Sequence, residues 1–178
     1  KSFLFLFALA IISFCNYSFA QLVVNNTNPN NNPTYLVQNI LMGNGVSATN
    51  ITFGGNPNRQ IGFFSGINSN IGLDSGIVLS TGDVQNATGP NNGNISDDIT
   101  GIGSDIDLNT IVGSSFGNQD KAILEFDFIP IGDSVEFQYV FASEEYHDYV
   151  NTSFNDVFGF FISGPGIIGP FSNNAQNI

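Results

Sequence analysis

Cysteine, tryptophan and basic side chains are almost missing from this chain, and each shortage closes off a class of function. The single cysteine, Cys15, lies in an apolar N-terminal run, and none follows it. Beyond that run, disulfides, zinc–thiolate sites and cysteine nucleophiles are excluded, so a fold there must rest on its own apolar core. The one histidine, His147, has no second imidazole or thiolate to share a zinc ion. Lys and Arg number 3 against 15 Asp and Glu, a formal charge of −12. After residue 20 only Arg59 and Lys121 are basic. Such a surface repels nucleic acid and anionic lipid and attracts divalent cations. Trp is absent, while 18 Phe and 20 Gly fit strands joined by many turns.

A long hydrophobic run is lacking too. Phe3 to Phe14 is almost unbroken apolar sequence, with Lys1 before it and Ser18-Phe19-Ala20 behind. It falls short of the roughly 18–20 apolar residues a spanning helix needs. A basic flank, a short apolar centre and a small-x-small end predict a secretory signal peptide over residues 1–20, cut after Ala20. Phe14 stands where a lipid-attachment cysteine needs a small neighbour, which argues against lipidation of Cys15. The expected mature chain is secreted or displayed at the cell surface, with no stable membrane insertion.

Residues 21–34 are rich in Asn and Pro and read as a linker ahead of one domain over residues 35–178. Pro33-Thr34 opens a helical signal in which Leu36, Val37, Ile40 and Leu41 share a face, and Gly43 stops it. Extended patterns follow at Val46 to Phe53, Gln60 to Phe64 and Gly76 to Ser80. Residues 82–104 read as a long loop, either functional or disordered. Lys121 to Phe128 and Ser134 to Phe141 both alternate with period two across a Pro130–Asp133 turn, which predicts an antiparallel hairpin. Asp156 to Ser163 is apolar on both faces and reads as a central strand. The expected fold is all-β, an antiparallel sandwich or jelly roll with one short N-terminal helix.

The sharpest local feature is the connection between those last two strands. Glu144, Glu145, Asp148 and Asp156 gather there at a strand end. Calcium takes six to eight oxygens from carboxylates, Asn side chains, carbonyls and water, all of which one such connection can offer. Glu144, Glu145, Asn155 and Asp156 are the expected ligands, with Asp105 and Asp107 as a second acidic pair. Asp105-x-Asp107-x-Asn109 has the alternation of half a calcium loop, but Thr110 and Phe116 stand where an EF-hand needs Gly and Glu. The plainer reading is that these acids cap turns and solvate the surface. Tyr146, Tyr149 and Phe154 lie in the same connection and are candidates for contacting an extracellular glycan or surface protein, although aromatics in strands more often belong to a core.

Several blocks resemble the bacterial choice-of-anchor L domain. They are Leu36-Val37-Gln38-Asn39-Ile40-Leu41 with Gly43-x-Gly45, and Gly72-Leu73-Asp74-Ser75-Gly76-Ile77-Val78-Leu79-Ser80-Thr81-Gly82. Asp105-x-Asp107-Leu108 and Asp120-x-Ala122-x-Leu124-Glu125-Phe126-Asp127-Phe128 follow. The most specific are Tyr139-Val140-Phe141-Ala142-Ser143-Glu144-Glu145-Tyr146 and Phe154-Asn155-Asp156-Val157-Phe158-Gly159-Phe160-Phe161. The resemblance implies an extracellular module of large secreted bacterial proteins, held by varied C-terminal anchors and often exported by type IX secretion. It also implies that the domain continues past Ile178. His147 departs from the family, where proline is common at that position.

Enzyme readings are weaker. Gly113-Ser114-Ser115-Phe116-Gly117 matches G-x-S-x-G, but a nucleophile elbow needs a strand before it and a helix after. Adjacent extended residues such as Glu144 and Glu145 cannot face each other across the ~5–9 Å that glycoside hydrolysis requires. The expectation is a calcium-stabilised binding or adhesion module and not an enzyme. The alternatives are a structural spacer with no ligand of its own and, least favoured, a secreted hydrolase.

Overall fold

The computed structural model describes residues 21–89, 97–113, 119–143, 149–150, 152 and 156–178. Residues 1–20, expected to be a signal peptide, lie outside them. Strand is the dominant regular element, and every ladder is antiparallel. Strands β1 (Val23–Asn25), β3 (Ile61–Ser65) and β4 (Ser75–Leu79) form one sheet in the order β1-β3-β4. Strand β2 (Val46–Gly54) pairs with β5 (Ile123–Pro130), and β6 (Phe161–Ile162) with β7 (Gln176–Asn177).

The first helix forms where its signals lie. Asn32 accepts a hydrogen bond from the Tyr35 N–H, and Pro33 occupies the first turn of α1 (Pro33–Leu36). A π-helical turn over Val37–Leu41 continues it, and Leu36 and Val37 are fully buried. Central strand β3 is covered on both sides, with Ile61 and Phe64 buried. Phe64 packs with Val24 and with Val84, from a 3-10 turn over Val84–Thr88, and Leu22, Ile71, Leu73 and Val78 close this core. A Cβ at Gly76 would stand 2.9 Å from the Phe64 ring, so the ring lies flush on the strand only because position 76 is glycine.

The polar stretch after β1 is tied to the same sheet. Asn26 donates to the Asn58 carbonyl, and Asn31 to the Asn58 side chain, both at 2.8 Å. In β2 the register shifts between Thr49 and Thr52, and Asn50 adopts φ 52°. Its side-chain N–H bonds Asp127 across the ladder at 2.6 Å, a β-bulge stabilised by a residue that tolerates the left-handed region.

The expectation of one N-terminal helix is corrected: a second, α2, spans Ile106–Val112. Asp105 is its N-cap, accepting from the Asp107 and Leu108 N–H groups, and Gly113 closes it at φ 62°. The Asp-x-Asp alternation there is that of a cap and an acidic first turn. The expected hairpin also differs. The ladder partner of β5 is β2, and residues 134–143 form no ladder. Only Phe161–Ile162 of the Asp156 to Ser163 stretch enters one.

Candidate functional site

Residues 134–143 and 156–160 are brought side by side by their side chains. The ring centroids of Phe137 and Phe160 are 5.0 Å apart, those of Tyr139 and Phe158 5.4 Å, and those of Phe141 and Phe158 5.6 Å. Beyond them the Ser143 hydroxyl lies 3.2 Å from an Asp156 carboxylate oxygen. The order 137, 139, 141, 143 against 160, 158, 156 is that of two antiparallel extended stretches with alternate side chains on one face. The row starts from a shallow cleft that Val135, Glu136 and Phe137 line with Phe128, Val46, Leu41, Met42 and Gly43. It ends at the acidic connection.

The Ser143–Asp156 contact therefore closes the neck of the 144–155 connection. Within it, the Thr152 N–H and hydroxyl both bond the Tyr149 carbonyl, at 3.1 and 2.7 Å, making a turn. Of the expected ligand residues, Glu144, Glu145 and Asn155 lie outside the described residues, as do Tyr146 and Phe154. Tyr149 is partly buried. Asp105 and Asp107 are placed elsewhere. Asp105 caps α2, while Asp107 accepts from the Ser172 N–H at 3.0 Å and its hydroxyl at 3.1 Å. That bond ties α2 to the turn before β7. Among the described residues no group of three or more His, Cys, Asp or Glu could hold a metal ion.

Two polar centres had no signature in the sequence. Gln60 is fully buried, with its side-chain oxygen accepting from the Asn56 N–H at 2.7 Å. Its amide donates to the carbonyls of Thr81 and Asp120, each at 3.0 Å. Thr81 follows β4 and Asp120 precedes β5, so one side chain joins the two larger sheets. Beside it, Arg59 bonds Asp83 at 3.1 Å and both Asp97 oxygens at 2.6 and 2.8 Å. Burial alone would raise the Asp97 carboxyl, but hydrogen bonds from Arg59 and the Asp83 backbone outweigh it and hold it below the usual range. Burial, then the nearby Asp98 charge, pushes Asp120 up.

The G-x-S-x-G run follows α2 directly, so a helix stands where a nucleophile elbow needs a strand. The profile of the choice-of-anchor L domain matches residues 23–178. The chain belongs to the choice-of-anchor L family. The match takes in β1 and runs through every described element to β7. This family comprises secreted or cell-surface accessory modules without catalytic activity, and the chain is one of them. No curated protein and no solved structure matches it. Among the described residues, no helix is long and apolar enough to cross a membrane.

Proposed function

We propose that this choice-of-anchor L domain is a binding or adhesion module of a larger surface protein, rigidified by calcium at the Glu144–Asp156 end. The observation that carries the reading is the Ser143–Asp156 contact. It brings together the two ends of a connection whose sequence holds Glu144, Glu145, Asp148 and Asn155. Carboxylates confined by such a neck repel one another, and a divalent cation that they share removes the repulsion and fixes the connection. In the same reading the two larger sheets are the faces of one sandwich, with Gln60 as the polar link between them. Export by type IX secretion belongs to this proposal as well.

The test is a thermal melt of the chain in calcium and in chelator. Calcium at about 100 times its dissociation constant adds roughly 2.7 kcal/mol, a rise of several degrees. Asp156→Asn is expected to abolish most of that rise while costing little in chelator. Equal destabilisation in both buffers would remove the metal role. A spacer without a ligand is the second reading. It is favoured by Asp105 and Asp107, whose carboxylates serve a helix cap and a tie to Ser172.

A further inference from the structure

Where asparagine precedes a small residue, the next backbone nitrogen can attack the side-chain carbonyl carbon, provided that nitrogen is unbonded and its surroundings are open. Several such pairs in this chain are blocked. The Thr27 N–H after Asn26 donates to Asn25 Oδ1 at 2.9 Å. The Ser69 N–H after Asn68 donates to the Gly66 carbonyl at 2.8 Å, and the Ala175 N–H after Asn174 to the Ser172 carbonyl at 3.1 Å. Asn109-Thr110 lies inside α2. Asn44-Gly45 differs from all of these. Among the described residues nothing accepts from the Gly45 N–H, and both residues are exposed. A Cβ built at Gly43 or Gly45 would meet nothing within 4 Å. Gly45 has no side chain to crowd the approach, and its φ of 89° is one that glycine adopts freely. The other Asn-Gly pair, Asn92-Gly93, lies outside the described residues.

We infer that Asn44 is a site of spontaneous backbone modification, at which its amide becomes an aspartyl or isoaspartyl carboxylate. The Gly45 nitrogen bonds to the Asn44 Cγ. The bond from Cγ to the amide nitrogen breaks, and the Gly45 proton passes through water to the departing ammonia. Water then opens the five-membered imide. Opening at Cγ leaves an ordinary aspartate, while opening at the main-chain carbonyl routes the backbone through Cγ as isoaspartate. Water is the one co-reactant, and neither calcium nor a ligand takes part. The position gives the change a structural consequence. Asn44 stands in the turn that enters β2, and the Gly45 carbonyl accepts from the Ile131 N–H at 2.8 Å, closing the end of the β2–β5 ladder. Isoaspartate inserts a methylene into the backbone immediately before that bond. Either product adds a negative charge to a chain already at −12, close to the cleft that Gly43, Val46 and Glu136 help to line. Loss of ammonia is one-way, so in a module outside the cell the altered turn accumulates with age.

Tandem mass spectrometry of chymotryptic peptides tests this, on the chain aged in mildly alkaline buffer, folded and in urea. Asn44 should gain the mass of amide-to-acid conversion and resolve into aspartyl and isoaspartyl forms. In the folded chain it should convert at least about tenfold faster than Asn26, Asn68 or Asn174, and within about tenfold of its own rate in urea. Urea should speed Asn68, whose neighbouring Ser69 N–H it releases. Asn44→Gln, which would have to close a larger ring, should stop conversion at this position while melting with the parent. An Asn44 that keeps its amide in the folded chain, or converts more than about tenfold slower there than in urea, overturns the proposal. So does conversion of Asn26, Asn68 or Asn174 in the folded chain at a rate matching that of Asn44. Conversion of Asn44→Gln at the parent rate would do the same, because no five-membered imide can form there.

Discussion

Gln60→Leu removes hydrogen bonds and little else, because the two side chains are close in volume. The buried amide satisfies the Asn56 N–H at 2.7 Å and the Thr81 and Asp120 carbonyls at 3.0 Å, with Lys121 O a longer fourth partner at 3.4 Å. Leucine leaves one donor and the two close acceptors without their partner, while the 3.4 Å contact to Lys121 is too long to add much. Each such loss costs about 1–3 kcal/mol when the orphan stays dry. Asp120 and Lys121 are near enough to solvent for a carbonyl to regain water, so the lower end applies to them. The expected loss is about 3 kcal/mol, a large share of the 5–15 kcal/mol typical of a domain. Urea unfolding followed by far-ultraviolet circular dichroism measures it as a lower midpoint at unchanged slope. A loss below about 1 kcal/mol would refute the argument that this amide holds the two sheets together. Gln60→Glu sharpens the test. It keeps the acceptor for Asn56 but, when ionised, points a charge at the two carbonyls. Its pKa should rise on folding, so its stability should improve as the pH falls.

Acid should loosen the Arg59 centre. Asp97 is held low, so its contribution is present above its unfolded pKa and is lost as pH falls through its folded value. Asp120 is raised, so its contribution is present below the unfolded pKa and is lost as pH rises through the folded one. The two oppose each other, and Asp97→Asn should flatten the acid limb of melting temperature against pH while costing about 1 kcal/mol at neutrality. An unchanged acid limb would show that Asp97 does not govern it. At the C-terminal end, a Cβ at Gly169 would lie 1.9 Å from the Ala175 carbonyl oxygen. Gly169→Ala should therefore displace the turn before β7 and lower stability by about 1–3 kcal/mol in thermal melts. A parent-like melt would mean that the turn yields freely.

Strands β2, β3, β4 and β5 were legible because alternation and turn residues are local properties of the chain. So was α1, whose Asn32-Pro33 start and buried Leu36-Val37 pair follow helical spacing. Neighbour choice was not. Period two tells which face Leu124 and Phe126 take, but not that β2 rather than residues 134–141 completes the β5 ladder. Helix α2 was missed for a chemical reason: a carboxylate that caps backbone N–H groups has the same spacing as one that ligates a cation. The rings at 137, 139 and 141 were visible as one face of an alternating stretch. Their exposure depends on what packs against them, which no local pattern encodes. Gln60 and Arg59 carry no motif at all, since the amide's partners lie up to 61 positions away.

The bond between Ser143 and Asp156 has a consequence for how such a domain can vary. A segment whose two ends are already held together has its closure largely fixed by that contact. Lengthening it twofold adds only about 0.6 kcal/mol of closure entropy. Length in the chain between Ser143 and Asp156 is thus cheap to change, because the two residues that bound it are already in contact.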